Sequence, residues 1–263
     1  MGVIRTDQWL LKHYKTPLKI TEKMEDYFEH AYADEIYAHL TQFGMYLPPL
    51  QKQRVRQLIK KQVWQTVEED YQQLKRLWNG PSVPIFIFPS DTTNRKLKDD
   101  YNSKAGLTFK DKLFLFLSDT NTPNEIKALL THEYNHACRL TNYSKEEADY
   151  TLLDTIILEG LAENAVRERL GEKYTAFYTS KYSDDMLNVF WEKHILPHNQ
   201  LSKKSRKHHH ILYGLQFYPF MMGYSVGNYL VKKYLEKHRA TSQELLTLTS
   251  EKIAELDNVD IRG

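Results

Sequence analysis

Two histidines four residues apart place the strongest constraint on what this chain can fold into. They belong to the segment His132-Glu133-Tyr134-Asn135-His136, an H-E-x-x-H sequence. A helix is predicted here because Thr122 can cap it, Pro123 suits its first position and Glu125 completes a capping box. On such a helix the four-residue spacing puts both imidazoles on one face. The fold must therefore include a helix that presents paired histidines.

Paired neutral imidazoles are ligands for a divalent metal. Catalytic zinc sites use three protein ligands and leave a fourth position for water. Glu133 points toward that remaining position, where a carboxylate can take a proton from the water. The helix follows an apolar strand and carries Ile126, Leu129 and Leu130, so it is predicted to belong to the core. Its apolar setting argues against a solvated face as the reason for the motif.

A second predicted helix carries two carboxylates on an apolar stripe. Glu159 and Glu163 are four residues apart and face the same way. The stripe also contains Leu152, Ile156, Val166 and Leu170. Carboxylates in such a setting need a compensating positive charge, which a metal and its histidines would supply. Antiparallel packing of the two helices could bring Glu159 opposite the turn that holds the histidines, giving a site of two His and one Glu.

The remaining pattern predicts helices around a small sheet. Apolar residues recur at helical spacing over about residues 21–43 and 50–78. Short β-branched and aromatic runs predict a strand at 83–88 and a hairpin at 107–117. From there the chain is predicted to be helical. The predicted fold class is α+β, predominantly helical.

The two helices that carry the histidine and glutamate motifs have predicted bounds. They are predicted over about 123–140 and 145–170, the second begun by a capping box at Ser144. A soft boundary is expected near residue 80. It would separate an N-terminal helical region, 1–80, from a core at 81–263, with one continuous domain as the alternative.

Composition excludes several classes of protein. The chain has 263 residues, of which 41% are hydrophobic, and a formal net charge of +2. These values favour a globular protein and give no indication of a nucleic-acid partner. The longest apolar stretch, 217–231, is interrupted by Ser225 and Asn228 and is too short to span a membrane. The single cysteine, Cys138, cannot form an internal disulfide, so a cytoplasmic location without a membrane partner is expected.

Three other features of the sequence have mainly structural interpretations. Arg139 lies on the same side of the helix as the histidines, where it could pair with a buried or substrate carboxylate, and an ordinary salt bridge is favoured. Cys138 points away from the histidine face and is expected to be buried. The basic run at 203–210 is expected to be a solvated loop, with recognition of acidic substrates as the alternative.

The two motifs resemble a known family. The H-E-x-x-H helix followed by Glu159-Gly160-Leu161-Ala162-Glu163 looks like the gluzincin metallopeptidases. More closely, residues 132–140 together with 158–163 are similar to the YjaZ-like bacterial family of predicted zinc-dependent proteases. The resemblance extends from about Val83 through the segment around Tyr224. It implies a zincin-like fold and a Zn²⁺ cofactor.

The resemblance also implies a role for each site residue. His132, His136 and Glu159 would be the zinc ligands, and Glu133 the general base. Glu163 would accept a hydrogen bond from a ligand histidine.

Peptide hydrolysis is the expected reaction. Glu133 would take a proton from a zinc-activated water and later pass it to the leaving amine. A further donor is needed for the oxyanion, and Tyr224 is the first candidate because Gly223 allows close approach. Alternative donors are Tyr213, Tyr218 and His210.

Two rival functions stay open. Ligands do not dictate substrate, so a zinc amidohydrolase that acts on a small amide is the first. The second is an interaction protein that keeps a zincin fold without turnover, although a structural site has no use for Glu133. The expected partner is a peptide or protein substrate, and the sequence does not indicate an oligomeric state.

Overall fold

The computed structural model describes residues 2–256. Its contacts divide the chain into two compact units, one ending at Ala137 and the other beginning at Cys138. The helices before residue 80 lie in the same unit as the sheet. The boundary expected near residue 80 stays a prediction.

A three-stranded sheet lies in the first unit. Its strands are β1 (Ile85–Pro89), β2 (Ala105–Thr108) and β3 (Leu113–Leu117), in the spatial order β1-β3-β2. β1 runs parallel to β3, and β2 runs antiparallel to it. Every residue of β1 and β3 is buried, which explains why both strands are unbroken apolar runs in the sequence. The predicted strand and hairpin are confirmed.

The N-terminal segment lies alongside β1. The amide of Ile4 donates to the carbonyl of Ile85 at 2.9 Å, and the amide of Ile85 donates to Gly2 at 3.1 Å. The Thr6 hydroxyl donates to the carbonyl of Ile87 at 2.5 Å. These bonds occupy the outer side of β1, whereas β2 forms the opposite edge of the sheet.

Among the described residues six α-helices precede the motif helix, and they are shorter than predicted. They are α1 (Thr6–His13), α2 (Leu18–Thr21), α3 (Ala33–Gln42), α4 (Lys52–Lys60), α5 (Val63–Trp78) and α6 (Arg95–Tyr101). The single helix predicted over 21–43 is wrong, because Phe28 is extended and His30 adopts a left-handed conformation. The helix predicted over 50–78 is also interrupted, by Gln62 with φ of 54°. None of these three residue types signals a break.

The motif helix, α7, spans Pro123–Asn142. Its predicted capping box is confirmed, since the amide and hydroxyl of Thr122 both donate to the Glu125 carboxylate at 2.8 Å. In the first unit the Tyr134 hydroxyl donates to the carbonyl of Pro81 at 2.9 Å, and the Tyr134 ring stacks against Trp78. The helix is therefore held at its start by the capping box and in its middle by Tyr134.

Five further helices belong to the second unit. They are α8 (Leu152–Leu170), α9 (Asp184–Phe190), α10 (Arg206–Tyr213), α11 (Met222–His238) and α12 (Ser250–Ile253). The predicted start of α8 at Ser144 is wrong. Thr151 is the cap instead: its amide donates to the Asp154 carboxylate at 2.9 Å, and its hydroxyl accepts from the Asp154 amide. Residues 147–149 form only a 3₁₀ turn.

Two glycines let α8 and α11 meet backbone to backbone. A Cβ on Gly227 would lie 1.9 Å from the carbonyl oxygen of Ile156, and a Cβ on Gly160 would lie 2.2 Å from that of Gly227. No side chain fits at either position, so the helix that carries Glu159 is packed against α11 at closest range. Among residues 2–256, none of the helices combines the length and hydropathy that crossing a bilayer requires.

Candidate metal centre

The two motif histidines converge on one point. His132 Nε2 and His136 Nε2 are 3.0 Å apart, and the ring planes are inclined by 82°. A tetrahedral zinc with bonds of about 2.1 Å would separate two ligand nitrogens by roughly 3.4 Å. The pair therefore needs only a small adjustment to hold one ion.

Glu159 completes the group. Ligand atoms of His132, His136 and Glu159 all lie within 4.8 Å of one another. His136 is buried, while His132 and Glu159 are half-buried. Two imidazole nitrogens and one carboxylate oxygen are a donor set suited to a catalytic zinc with one position open. The residues present thus fit the metal that the sequence predicts.

Glu133 lies against the edge strand β2. Its side chain is buried, and its Oε2 accepts a hydrogen bond from the Thr108 hydroxyl at 2.7 Å. The same hydroxyl lies 3.0 Å from the Glu133 carbonyl oxygen. Thr108 therefore fixes both the backbone and the carboxylate of the proposed base.

Gly106, on the same strand, makes room for Glu133. A Cβ at this position would lie 2.3 Å from Cγ and Cδ of the glutamate. Neither Thr108 nor Gly106 was predicted from the sequence, because about 25 positions separate them from Glu133 and no local pattern joins them. Gly106, one residue before the predicted hairpin at 107–117, was the available signal, since a glycine in a strand often marks close approach.

Glu163 is buried one turn after Glu159. Its Oε2 accepts a hydrogen bond from the amide of Ala176 at 2.7 Å. This bond ties the loop after α8 to the helix. The hydrogen bond predicted from a ligand histidine to Glu163 stays a prediction.

Tyr224 lies in the first turn of α11 and is half-buried. Its ring centroid is 5.2 Å from that of Tyr178 and 5.7 Å from that of Tyr213. The neighbouring Gly223 does permit close approach, but to α10: a Cβ there would lie 2.8 Å from the Cα of Leu212. The role of Tyr224 as oxyanion donor stays a prediction.

The alternative donors lie around the start of α11. Tyr213 ends α10 and is 39% exposed, and Tyr218 packs its ring against His194 at 5.9 Å. His210, on α10, lines a cavity together with Tyr218. Their catalytic roles likewise stay predictions.

Arg139 serves the second unit as a structural cation. The residue is 1% exposed, and its guanidinium donates to the carbonyl oxygens of Leu245, Leu246 and Leu248 and lies 3.7 Å from the ring centroid of Tyr143. The salt bridge favoured by the sequence is wrong, since backbone carbonyls take the place of a carboxylate. Burial lowers the pKa of Arg139 from its ordinary value. Cys138 is buried, as predicted.

The basic run at 203–210 is only partly a loop. Residues from Arg206 onward belong to α10, and His208 is buried with its Nε2 3.1 Å from the Thr155 hydroxyl. Burial lowers the pKa of His208 to about 4, so the ring is neutral at pH 7. The prediction of a fully solvated loop is therefore wrong. The available signal was the spacing of His208, Ile211 and Leu212, which share one helix face.

The α+β fold and the His-His-Glu group on its motif helices place the chain among proteins with a candidate metal site. Residues 63–255 match the profile of a family described as "Predicted Zn-dependent protease (DUF2268)". The chain belongs to this family. The match begins earlier than the resemblance expected from about Val83, because it already includes α5.

Two relatives come from Bacillus subtilis (strain 168). The chain is 39% identical to "Uncharacterized protein YjaZ" over 260 residues, which cover 95% of this chain and 97% of that protein. It is 24% identical to "Uncharacterized protein YjfC" over 192 residues, covering 66% of this chain and 61% of that protein. No solved structure matches the chain.

Proposed function

We propose that the chain is a zinc-dependent peptidase with a zincin-like fold. The observation that carries the proposal is the group of His132, His136 and Glu159, whose ligand atoms lie within 4.8 Å of one another. The family description, a predicted Zn-dependent protease, supports the same metal and reaction. The buried lone thiol of Cys138 supports a cytoplasmic location. A peptide or protein is the proposed partner, with neither nucleic acid nor a membrane required.

Bound zinc would supply a Lewis acid that acidifies water and polarises a carbonyl. Glu133 then accepts the proton of the attacking water, and the Thr108 hydroxyl that donates to its carboxylate holds that side chain in place. The same carboxylate returns the proton to the leaving amine. Tyr224 is the proposed donor to the developing oxyanion.

The edge strand β2 supports a peptide substrate over a small amide. An extended peptide can add to a sheet edge through main-chain hydrogen bonds. β2 is an edge of the sheet, and its Thr108 is bonded to Glu133. A peptide aligned on this strand would therefore pass close to the proposed base.

Cleavage of a peptide library by the zinc-loaded protein tests the reaction. Wild-type protein should cleave peptides, and Glu133→Gln should lower the rate by at least about a thousandfold while zinc stays bound. Bound zinc without cleavage that depends on Glu133 would contradict the peptidase and favour the silent interaction protein. Hydrolysis of small amides alone would favour the amidohydrolase.

Metal analysis of two carboxylate variants tests the ligand set. Glu159→Ala should lose most of its bound zinc, because it removes one of three ligands. Glu163→Ala is the matched control, since it removes a carboxylate one turn away on the same helix. Equal zinc retention in both variants would show that Glu159 is not the third ligand.

A further inference from the structure

One stretch of the chain has an unusual charge. The whole sequence has a formal net charge of +2, yet residues 193–235 contain seven Lys or Arg and no Asp or Glu. The remaining sequence is therefore net acidic. This stretch includes α10, most of α11 and the loop that joins them.

The joining loop, residues 214–221, is folded against itself. The amide of Leu215 donates to the carbonyl oxygen of His210 at 2.9 Å, and the amide of Met221 donates to the carbonyl oxygen of Tyr213 at 3.0 Å. Gly214 has φ of 68°, and a Cβ there would lie 1.9 Å from the carbonyl oxygen of Pro219. This glycine allows the tight closure.

The folded loop exposes apolar side chains to solvent. Phe217 is 100% exposed and Leu215 is 46% exposed. An ordered loop that leaves an aromatic ring fully exposed forgoes the stabilisation that burial would give. Exposed apolar side chains of this kind are typical of a binding surface.

A cavity of about 500 Å³ opens beside Phe217. It combines cationic or donor groups with aromatic rings, and it is lined by His194, Lys207, His210, Gln216, Phe217 and Tyr218. None of the lining residues is acidic. The cavity thus suits a ligand that presents a carboxylate next to a large apolar group.

The loop adjoins the helix face that carries the site carboxylates. Phe220 stacks on Phe177 with ring centroids 6.0 Å apart. The residue before Phe177, Ala176, donates its amide to Glu163. The loop that lines the cavity is therefore linked through Phe220 and Phe177 to the segment bonded to Glu163.

We infer that this cavity binds protein substrates through an acidic segment that contains a large apolar side chain. The inference rests on the proposed peptidase function, because it assigns the substrate class of that site. Lys207 attracts the acidic residues, and Phe217 packs against the apolar one. The side chains of a peptide can enter this cavity, whereas the planar surface of a bilayer can contact only the exposed ring of Phe217.

Fluorescence anisotropy with labelled peptides tests the inference. The Glu133→Gln protein is used so that the probes survive. The probes are GSEEFEESG, its neutral counterpart GSQQFQQSG and GSEESEESG, which lacks the aromatic residue. The first probe should bind about tenfold more tightly than either of the others, and about 0.5 M NaCl should remove much of the preference for acidic residues.

Two additional substitutions assign the effect to the cavity. Lys207→Glu and Phe217→Ser should each weaken binding of GSEEFEESG about fivefold. Lys98→Glu and Leu77→Ser are matched controls, because both residues are exposed and lie in the first unit. The controls should leave the affinity unchanged.

Three outcomes would overturn the inference. They are equal binding of all probes, insensitivity to both cavity variants, and phosphatidylglycerol vesicle binding that Phe217→Ser abolishes without any preference among the peptides. Binding requires no turnover, so failure of the peptidase proposal would leave the anisotropy result unaffected. Cleavage without a preference among these probes would refute the binding role of the cavity and leave the peptidase proposal intact.

Discussion

Gly106 and Glu133 lie so close that strand β2 has no room for a side chain opposite the motif glutamate. A Cβ on Gly106 would lie 2.3 Å from Cγ and Cδ of Glu133. The clashing atoms belong to a flexible side chain and not to backbone. A substitution at this glycine is therefore expected to move the glutamate and leave the fold in place.

Gly106→Ala should lower peptidase activity about a hundredfold, because a displacement of about 1 Å can misplace a general base. Zinc content should stay at the wild-type level, since no ligand is touched. The free energy of unfolding should change by less than about 1 kcal/mol. Steady-state kinetics, metal analysis and urea unfolding measure the three quantities.

Gly2→Ala is the matched control for Gly106→Ala. Its Cβ would lie 2.6 Å from the carboxylate of Glu68, a glutamate away from the motif. Activity should be unaffected. Full activity of Gly106→Ala would show that Glu133 does not need its observed position.

Thr108→Val removes the hydroxyl that donates to Glu133 while keeping the side-chain shape. We expect kcat to fall about three- to tenfold, as for the loss of one hydrogen bond, with KM nearly unchanged. Thr108→Ser keeps a hydroxyl and should recover most of the activity. Equal rates for the Val and Ser variants would refute a positioning role for the hydroxyl.

Arg139→Met tests the structural cation. The substitution leaves the buried carbonyls of Leu245, Leu246 and Leu248 without their donor, so stability should fall by about 3 kcal/mol. Urea unfolding monitored by circular dichroism measures the loss. Arg95→Met, at an exposed position, should change stability by less than about 0.5 kcal/mol. Similar stabilities for both variants would contradict the assignment.

His208 makes stability depend on pH. Its pKa is about 4 in the folded protein, because the ring is buried, and about 6.5 in an unfolded chain. Between these two pKa values the unfolded state therefore binds a proton on His208 that the folded state does not bind. The stabilisation is complete above about pH 6.5 and is lost as the pH falls toward 4, with about 2 kcal/mol lost between pH 7 and pH 5.

His208→Gln isolates this contribution, because glutamine cannot titrate and can still bond Thr155. Urea unfolding at pH 7 and pH 5 should show a smaller difference in the variant than in the wild type. Parallel pH profiles for the two proteins would show that the pKa of His208 is the same in the folded and unfolded states.

The sequence predicted the motif helix well because its signals are local. Thr122, Pro123 and Glu125 fix its start, and the histidine spacing then follows from helix geometry. The start of α8 was misplaced because Ser144 and Thr151 both begin capping-box sequences. Only the second is used, and periodicity alone could not decide between them.

Other features depend on residues far apart in the chain. The left-handed conformation of Gln62 has no signal in its residue type, so one predicted helix became two. Thr108 reaches Glu133 only after the strand and helix have packed. Arg139 finds its carbonyl partners more than 100 residues later, a pairing that no local pattern indicates.

The hydrogen bonds between the N-terminal segment and β1 have a consequence for how the sheet can grow. With Gly2 and Ile4 bonded to Ile85, any additional strand must join at β2. A second copy of the chain and an extended substrate would compete for the same row of main-chain groups beside Glu133. Self-association through the sheet would thus act as competitive inhibition of the proposed peptidase.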